Sequence, residues 1–273
     1  VKNITIIGAG AVGRALVRSL SGTKVRIAGI YSLRGRSASA AAKQYKAERF
    51  GAFGPDSVLS EIVLIAVPDG AIPDVVQTIA SSQRRLKGTV VLHTSGALTS
   101  DEFSPLKKLG ASAGSFHPLQ TFPKRRTPND LTNCWFAMEG DAAAVTVCKT
   151  LAATMHARSF TLSKKDKTLY HIAAVFASNY QVTLFSVVEQ LAAAVRIPRR
   201  DLWRIFRPLI VRTLENVFAS SPADALTGPI ARGDYRTIMK HIAALETSKS
   251  LSHLIPLYSA LGVETAKLTK RKR

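Results

Sequence analysis

The run NITIIGAGAVGRALVRSL, residues 3–20, constrains the fold more than any other stretch. A short apolar segment enters a glycine-rich turn, Gly8-Ala9-Gly10-Ala11-Val12-Gly13, which leads directly into a helical pattern. With a second strand following, KVRIAGIYS at 24–32, the pattern predicts a βαβ unit. In such a unit the first glycine permits the tight turn and the second lets a pyrophosphate approach the backbone. The third lets helix and strand pack closely. N–H groups at the helix start then face the anion. The alternative is a packing turn that holds no ligand.

The same alternation continues to about residue 160. Apolar runs at 61–68, 88–96, 111–118 and 133–140 read as strands, with 158–163 as a possible addition. The segments 37–46, 71–82 and 104–109 read as helices or helical turns. Strands alternating with helices predict an α/β domain with a Rossmann-type, mostly parallel sheet. The period then changes. Residues 164–195 contain neither Gly nor Pro and predict one long helix, apolar around most of its circumference. More helical segments follow, at 199–220, 235–246 and 250–262. The expected organisation is a Rossmann-like domain over 1–162 and an all-α C-terminal domain over 163–273.

The charge is unusual: 38 Lys and Arg against 18 Asp and Glu, a net +20 over 273 residues. The excess is spread evenly, since residues 1–160 and 161–273 each carry +10, and the only dense basic tract is Lys270–Arg273. A dedicated nucleic-acid binder concentrates its charge, so no such role is expected. None of the apolar runs reaches the roughly 18 residues of a membrane span. No signal peptide fits before the first strand. Cys134 and Cys148 lie outside CxxC or metal-ligand spacing and are expected to be reduced and buried. The six histidines are scattered, which predicts no metal site. A cytoplasmic protein without membrane attachment is the simplest expectation.

The second strand bears on which dinucleotide would bind. An NAD site places Asp or Glu about 20 residues beyond the glycines, on the ribose hydroxyls. The corresponding segment, IYSLRGRS, has no acid; the nearest is Glu48. Ser32, Arg34, Arg36 and Ser37 stand there instead, and such groups suit a 2′-phosphate through charge-assisted hydrogen bonds. The expected cofactor is NADP(H); a solvated basic loop is the alternative. Val67, Pro68 and Asp69 follow the next strand and are expected near the nicotinamide ribose, although Pro and Asp also simply end strands.

Polar residues also gather at two further strand ends. HTSGAL supplies His93, Thr94 and Ser95; FHPLQTFP supplies His117 and Gln120. Hydride transfer to a carbonyl or imine needs a proton donor beside the accepting atom, and histidine suits that task. His117 is the candidate acid or base, held by Pro118, with Thr94 on the cofactor and His93 and Gln120 on the substrate. On the predicted long helix Tyr170, His171, Ser178 and Asn179 share one face, a polar stripe that needs partners. Arg232 in LTGPIARGD is a candidate for gripping a substrate carboxylate, whereas Asp234 can simply cap the following helix.

GAGAVG, HTSGAL, GSFHPLQTF, YHIAAVFASNY and LTGPIARGD together resemble a family of Rossmann-like proteins. Its C-terminal domain is of the unknown-function class related to 6-phosphogluconate dehydrogenase. The resemblance spans essentially the whole chain. It implies an NADP oxidoreductase-like protein, similar to pyrroline-5-carboxylate reductase, that dimerises through its C-terminal domain. Hydroxyacid dehydrogenases of the superfamily carry a catalytic lysine four residues before an asparagine. Here Asn179 is present, but Val175 stands in the lysine's place. The TSG and GSFHP segments are similar to those of prephenate dehydrogenases. That likeness implies that His117 matches their catalytic histidine and Ser95 their active-site serine, with Asn179 assisting. The expected function is NADP-dependent hydride transfer on a small anionic carbonyl, imine or hydroxy compound. A non-catalytic NADP-binding regulator or assembly protein is the alternative.

Overall fold

The computed structural model describes residues 2–82, 85–123 and 131–270, so all but the first residue of the Lys270–Arg273 tract lies outside the described residues. Strands form at β1 Asn3–Ile7, β2 Arg26–Ser32, β3 Arg49–Ala52, β4 Ile62–Ile65, β5 Val90–His93, β6 Ser112–Leu119, β7 Trp135–Gly140 and β8 Arg158–Thr161. Between them run α1 Ala11–Leu20, α2 Arg36–Tyr45, α3 Ile72–Ser81, α4 Ser104–Lys108 and α5 Ala142–Thr154. The sequence pattern did not reveal β3. Its RFGA is mostly exposed and lacks apolar alternation, so pairing with β2, from Gly29↔Arg49 to Ser32↔Ala52, is what makes it a strand.

The strands form one sheet in the order β3-β2-β1-β4-β5-β6-β7-β8. Neighbours are parallel except β6 and β7, which gives the Rossmann-type, mostly parallel sheet expected from the alternation. Strand order reverses between β1 and β4, so the loops leaving them diverge and open a crevice at their carboxyl ends. Residues of β1 alternate across the sheet. Ile4 and Ile6 pack with Leu16, Ala41 and Leu151, while Ile7 packs with Ile65, Val76 and Leu106. Helices therefore cover both faces, as a parallel sheet requires.

The expected single helix over 164–195 is broken. A short 3-10 turn at Lys164–Asp166 opens α6, Lys167–Ala177, and α7 runs Asn179–Ala194. Ser178 between them leaves the helical region, with φ −127° and ψ −70°. The chain forms two compact units that divide at this point, Val1–Ser178 and Asn179–Arg273, one helix later than the border expected after residue 162. Lys164–Ala194, taken through the break, has the length and apolar composition of a membrane-crossing helix. This corrects the expectation that no run was long enough, by length and composition alone.

The second unit is helical: α7, α8 Arg199–Ala219, α9 Pro222–Ala225, α10 Pro229–Arg232, α11 Tyr235–Thr247 and α12 Ile255–Lys270. Asp234 caps α11, accepting from Thr237 N–H at 3.1 Å. Its core is small, with Leu245, Leu251 and Leu254 packed against Val187, Ile255 and Tyr258. Large apolar side chains stay exposed, among them Val182, Leu209 and Phe218.

Close packing of α1 against the first turn depends on Gly13, where an added Cβ would lie 1.8 Å from Gly8 O. That oxygen belongs to the backbone and cannot move aside. Gly13→Ala is expected to cost about 3 kcal/mol or more in urea unfolding. Gly10→Ala, with nothing within 4 Å of its added Cβ, is expected to cost under about 1 kcal/mol. Equal losses would show that the contact does not govern packing.

Candidate functional site

The site begins at the β1–α1 turn. Gly8 N–H is tied to Tyr31 O at 2.8 Å, and Arg14 Nη1 donates to Ala9 O at 2.9 Å, which fixes the loop. Gly10 is the N-cap of α1, makes no side-chain cap bond and is exposed, with open space above it. The first N–H groups of the helix, beginning at Ala11 and Val12, therefore have no capping side chain. This cradle fits a pyrophosphate.

At the end of β2, Ser32 is buried and its Oγ accepts from Ala38 N–H at 3.3 Å. Arg34, Arg36 and Ser37 are exposed, and neither arginine makes an ion pair among the described residues. Glu48, the nearest acid in sequence, is paired with Arg26. The loop end thus offers two uncommitted cations and no free carboxylate, which fits a phosphate better than a bare ribose diol.

Val67, Pro68 and Asp69 follow β4 at the same edge, with Asp69 exposed. Asp69 Oδ2 accepts from Ser95 Oγ at 2.8 Å. Ser95 Oγ in turn accepts from Ala97 and Leu98 N–H, at 3.2 and 2.9 Å. Its hydrogen-bonding capacity is used in shaping the loop and holding Asp69. Thr94 ties the same loop to β4 through Ile65 O at 3.1 Å. His93 is completely buried against Phe103; its Nε2 meets Thr99 O at 3.0 Å and its Nδ1 accepts Ser95 N–H at 3.2 Å. Both ring nitrogens are spent on loop backbone, so none is left for substrate. Burial lowers its pKa to about 4.

His117 lies within β6, opposite Ala137 of β7, rather than beyond the strand end. Its Nδ1 meets Tyr170 OH at 2.8 Å, and the His171 ring stands nearly perpendicular to it, centroids 6.0 Å apart. Tyr170 is braced by Phe160 of β8. The floor is Gly96: a Cβ there would lie 2.9 Å from His117 Nε2 and 2.5 Å from His171 Nδ1. The two histidines approach because no side chain intervenes. His171 Nδ1 is buried and has no hydrogen-bond partner among the described residues. Burial, then the nearby charge of Lys167, lower the His117 pKa to about 4. The ring is neutral at neutral pH, and the titration limb of an ordinary histidine moves down with it. Burial also raises Tyr170 to about 12, so its hydroxyl keeps its proton.

Beneath this cluster lies Lys167, the first residue of α6 and 1% exposed. Its ammonium donates to Ser95 O at 2.9 Å and to Ser115 Oγ. Burial lowers its pKa to about 8, against the pull of Glu139 and Asp69. Glu139, also buried, accepts from Ser100 N–H at 2.6 Å and Ser100 Oγ at 3.0 Å.

The fold therefore brings together His117, Tyr170 and His171, with Asp69 and Ser95 alongside. Gln120 is exposed, its Oε1 taken by Thr121 N–H. Ser178 sits at the helix break and Asn179 opens the second unit, so the expected four-residue stripe is divided. Arg232 belongs to the second unit, lining a hollow of about 910 Å³ with Tyr235 and Tyr258. Among the described residues no His, Cys, Asp or Glu cluster can hold a metal. Sequence reading missed Gly96, Ser100, Ser115, Glu139 and Lys167. One signal was present: Lys167 stands one helical turn before His171, the spacing sought before Asn179.

The profile of the Rossmann-like domain family matches residues 2–118, and that of a domain of unknown function, DUF2520, matches 134–265. No curated protein matches the sequence. A candidate NADP oxidoreductase from Bacteroides fragilis is 24% identical, with a TM-score of 0.79 over 97% of this chain and 98% of that one. A Thermotoga maritima protein is also 24% identical, at 0.75 over 99% of both chains. An imine reductase from Pseudomonas sp. is 15% identical, at 0.65 over 100% of this chain and 99% of that one. At these identities the likeness is one of fold.

The buried His93 makes stability depend on pH. Its folded pKa of about 4 lies below the unfolded value of 6.5, so its contribution is complete above pH 6.5. It is lost as pH falls from there towards 4, by roughly 1–3 kcal/mol. Urea midpoints measured between pH 7 and 4.5 are expected to fall less steeply in His93→Gln than in wild type. Parallel curves would show that His93 is not the buried neutral group described.

Proposed function

We propose that this chain, which joins a Rossmann-like domain to a DUF2520 domain, is an NADP-dependent oxidoreductase acting on a small anionic carbonyl, imine or hydroxy compound. One observation carries the reading. The open cradle at Gly10 and the cations Arg34 and Arg36, unpaired among the described residues, share the carboxyl edge of the sheet with the His117–Tyr170–His171 cluster. Ligands of open α/β sheets bind along that edge at the strand-order reversal. The fold likeness to a candidate NADP oxidoreductase and to an imine reductase supports it.

Gly8–Gly13 and the α1 N-terminus would hold the pyrophosphate, while Arg34 and Arg36, with Ser32 and Ser37, would hold the 2′-phosphate. Val67, Pro68, Asp69 and Thr94 would border the nicotinamide end. When bound, the nicotinamide supplies or accepts a hydride at the substrate carbon. The protein's part is the accompanying proton and the position of the atom that carries it. His117 is the candidate for this: Tyr170 fixes its Nδ1, and its Nε2 lies against Gly96 of the loop after β5. The assisting role expected of Ser95 passes to Tyr170 and His171, because the Ser95 hydroxyl is already committed.

The same reading takes the second unit as a homodimerisation module. Its exposed apolar side chains on α7, α8, α11 and α12 need a partner, and a second copy supplies the same surface. A reducing compartment such as the cytoplasm suits the two buried free cysteines. Light scattering at micromolar concentration is expected to give the mass of a dimer; a monomer would rule this part out.

Cofactor choice is tested by calorimetry on the purified protein. NADPH is expected to bind more tightly than NADH. Arg34→Ala is expected to lose about ten- to a hundredfold in NADPH affinity, as for one charged hydrogen bond, with NADH little changed. Equal affinities of the wild type for the two would sink the NADP assignment.

A further inference from the structure

We propose that Arg158 and Trp135, on the sheet face that carries His117, set substrate specificity at this site. Arg158 grips the substrate's carboxylate, and Trp135 with Leu119 seats an apolar or aromatic body. Their role rests on the oxidoreductase reading above, which it deepens. The register of β6, β7 and β8 sorts the residues into rows, since paired residues of neighbouring strands share a face. His117, Ala137 and Phe160 form one row. Leu119, Trp135 and Arg158 form the next, two residues nearer the carboxyl end of β6. The step between the rows is about 7 Å.

Helix α6 covers the first row. Lys167 meets Ser115, two residues before His117, and Tyr170 meets both His117 and Phe160. The helix thus advances along β6 towards the carboxyl edge. Ala174 is next on that helix face, four residues after Tyr170, and adds only a methyl. The outer row stands open: Leu119 is 42% exposed and Trp135 43%, and Arg158 is exposed as well.

This row is organised as well as open. The Arg158 guanidinium lies over the Trp135 ring, 5.6 Å from its centroid. It makes no ion pair among the described residues. A guanidinium held by its face keeps its N–H edge for a carboxylate, which it can hold through two parallel bonds. Trp135 in turn meets Phe160 at 6.1 Å, Phe160 meets Tyr170 at 5.8 Å, and Tyr170 OH meets His117 Nδ1. One chain of contacts therefore fixes the cation and the indole relative to the candidate proton carrier. Few polar groups set among apolar ones are the usual make-up of a small-molecule site. A bare acid such as pyruvate would leave the Trp135 and Leu119 surface unused, so a larger apolar body gains from burying it.

The test begins with binding. Trp135 and Trp203 are the two tryptophans of the chain, so in Trp203→Phe the emission reports on Trp135 alone. Phenylacetate and phenylacetamide, which differ in charge but hardly in shape, are titrated against that protein. Phenylacetate is expected to change the emission at about tenfold lower concentration or less. Adding Arg158→Gln is expected to weaken phenylacetate about ten- to a hundredfold, as for one charged hydrogen bond, and phenylacetamide by less than about twofold. Arg158→Lys is expected to recover part of the loss. Turnover with NADPH is then measured for pyruvate, phenylpyruvate, 1-pyrroline and 1-pyrroline-2-carboxylate. Trp135→Ala is expected to lower kcat/KM for phenylpyruvate about tenfold relative to pyruvate, with NADPH affinity unchanged. No emission change at the solubility limit of phenylacetate, or an unchanged affinity in Arg158→Gln, would overturn the assignment and leave an oxidoreductase. NADPH binding with no turnover of any of these compounds would remove the oxidoreductase reading, and the role in substrate choice with it.

Discussion

The ammonium of Lys167, buried between the Ser95 carbonyl and the Ser115 hydroxyl, is the contact on which the rest of the site depends. A charge this deep is tolerated only when its donors are satisfied and opposite charge lies near. Ser95 belongs to the loop after β5, Ser115 to β6, and the lysine to the start of α6. One group therefore ties a helix to two neighbouring strands. One helical turn further along, Tyr170 and His171 follow from where that helix begins. Removing the ammonium takes away the charged donor and leaves the Ser95 carbonyl and Ser115 hydroxyl with their long 3.5 Å bond to each other.

The same buried charge shapes the chemistry. His93 and His117 are both held neutral, first by burial and then by Lys167, yet they differ in what remains to them. His93 spends both nitrogens on the loop from Ser95 to Thr99 and serves as a brace. His117 spends one on Tyr170, and the other lies against Gly96. Two histidines on adjacent strands thus have different hydrogen-bonding surroundings, although the residue type is the same.

The second unit answers to a different constraint. Its small core around Leu245, Leu251 and Leu254 leaves side chains such as Phe218, 82% exposed, without cover. Apolar area in water is costly, about 25 cal/mol per Å², and that cost is the ground on which a second copy is proposed to cover it. Residues 164–194 also carry exposed apolar side chains, among them Leu169, Phe176 and Val182. Hydropathy alone gives such a stretch the signature of a membrane helix, although the chain breaks it at Ser178.

The sequence by itself determined the sheet, the cradle and the helical second half. Those features are local: strand and helix periods, and a glycine turn whose spacing permits one geometry. The glycine turn between β1 and α1, and the place of Arg34 and Arg36 directly after β2, were legible for that reason. Tertiary structure decided the rest. β3 exists because β2 offers a ladder, and the helix break at Ser178 has no Gly or Pro to announce it. Lys167 reads in sequence as one of several charges in KKDK, and Glu139 and Ser115 read as ordinary strand residues. Their meeting depends on β5, β6 and β7 lying side by side, contacts across 39 to 72 residues of chain that no local pattern encodes. Gly96 is the plainest case, since its missing side chain matters only once two distant histidines have been brought above it.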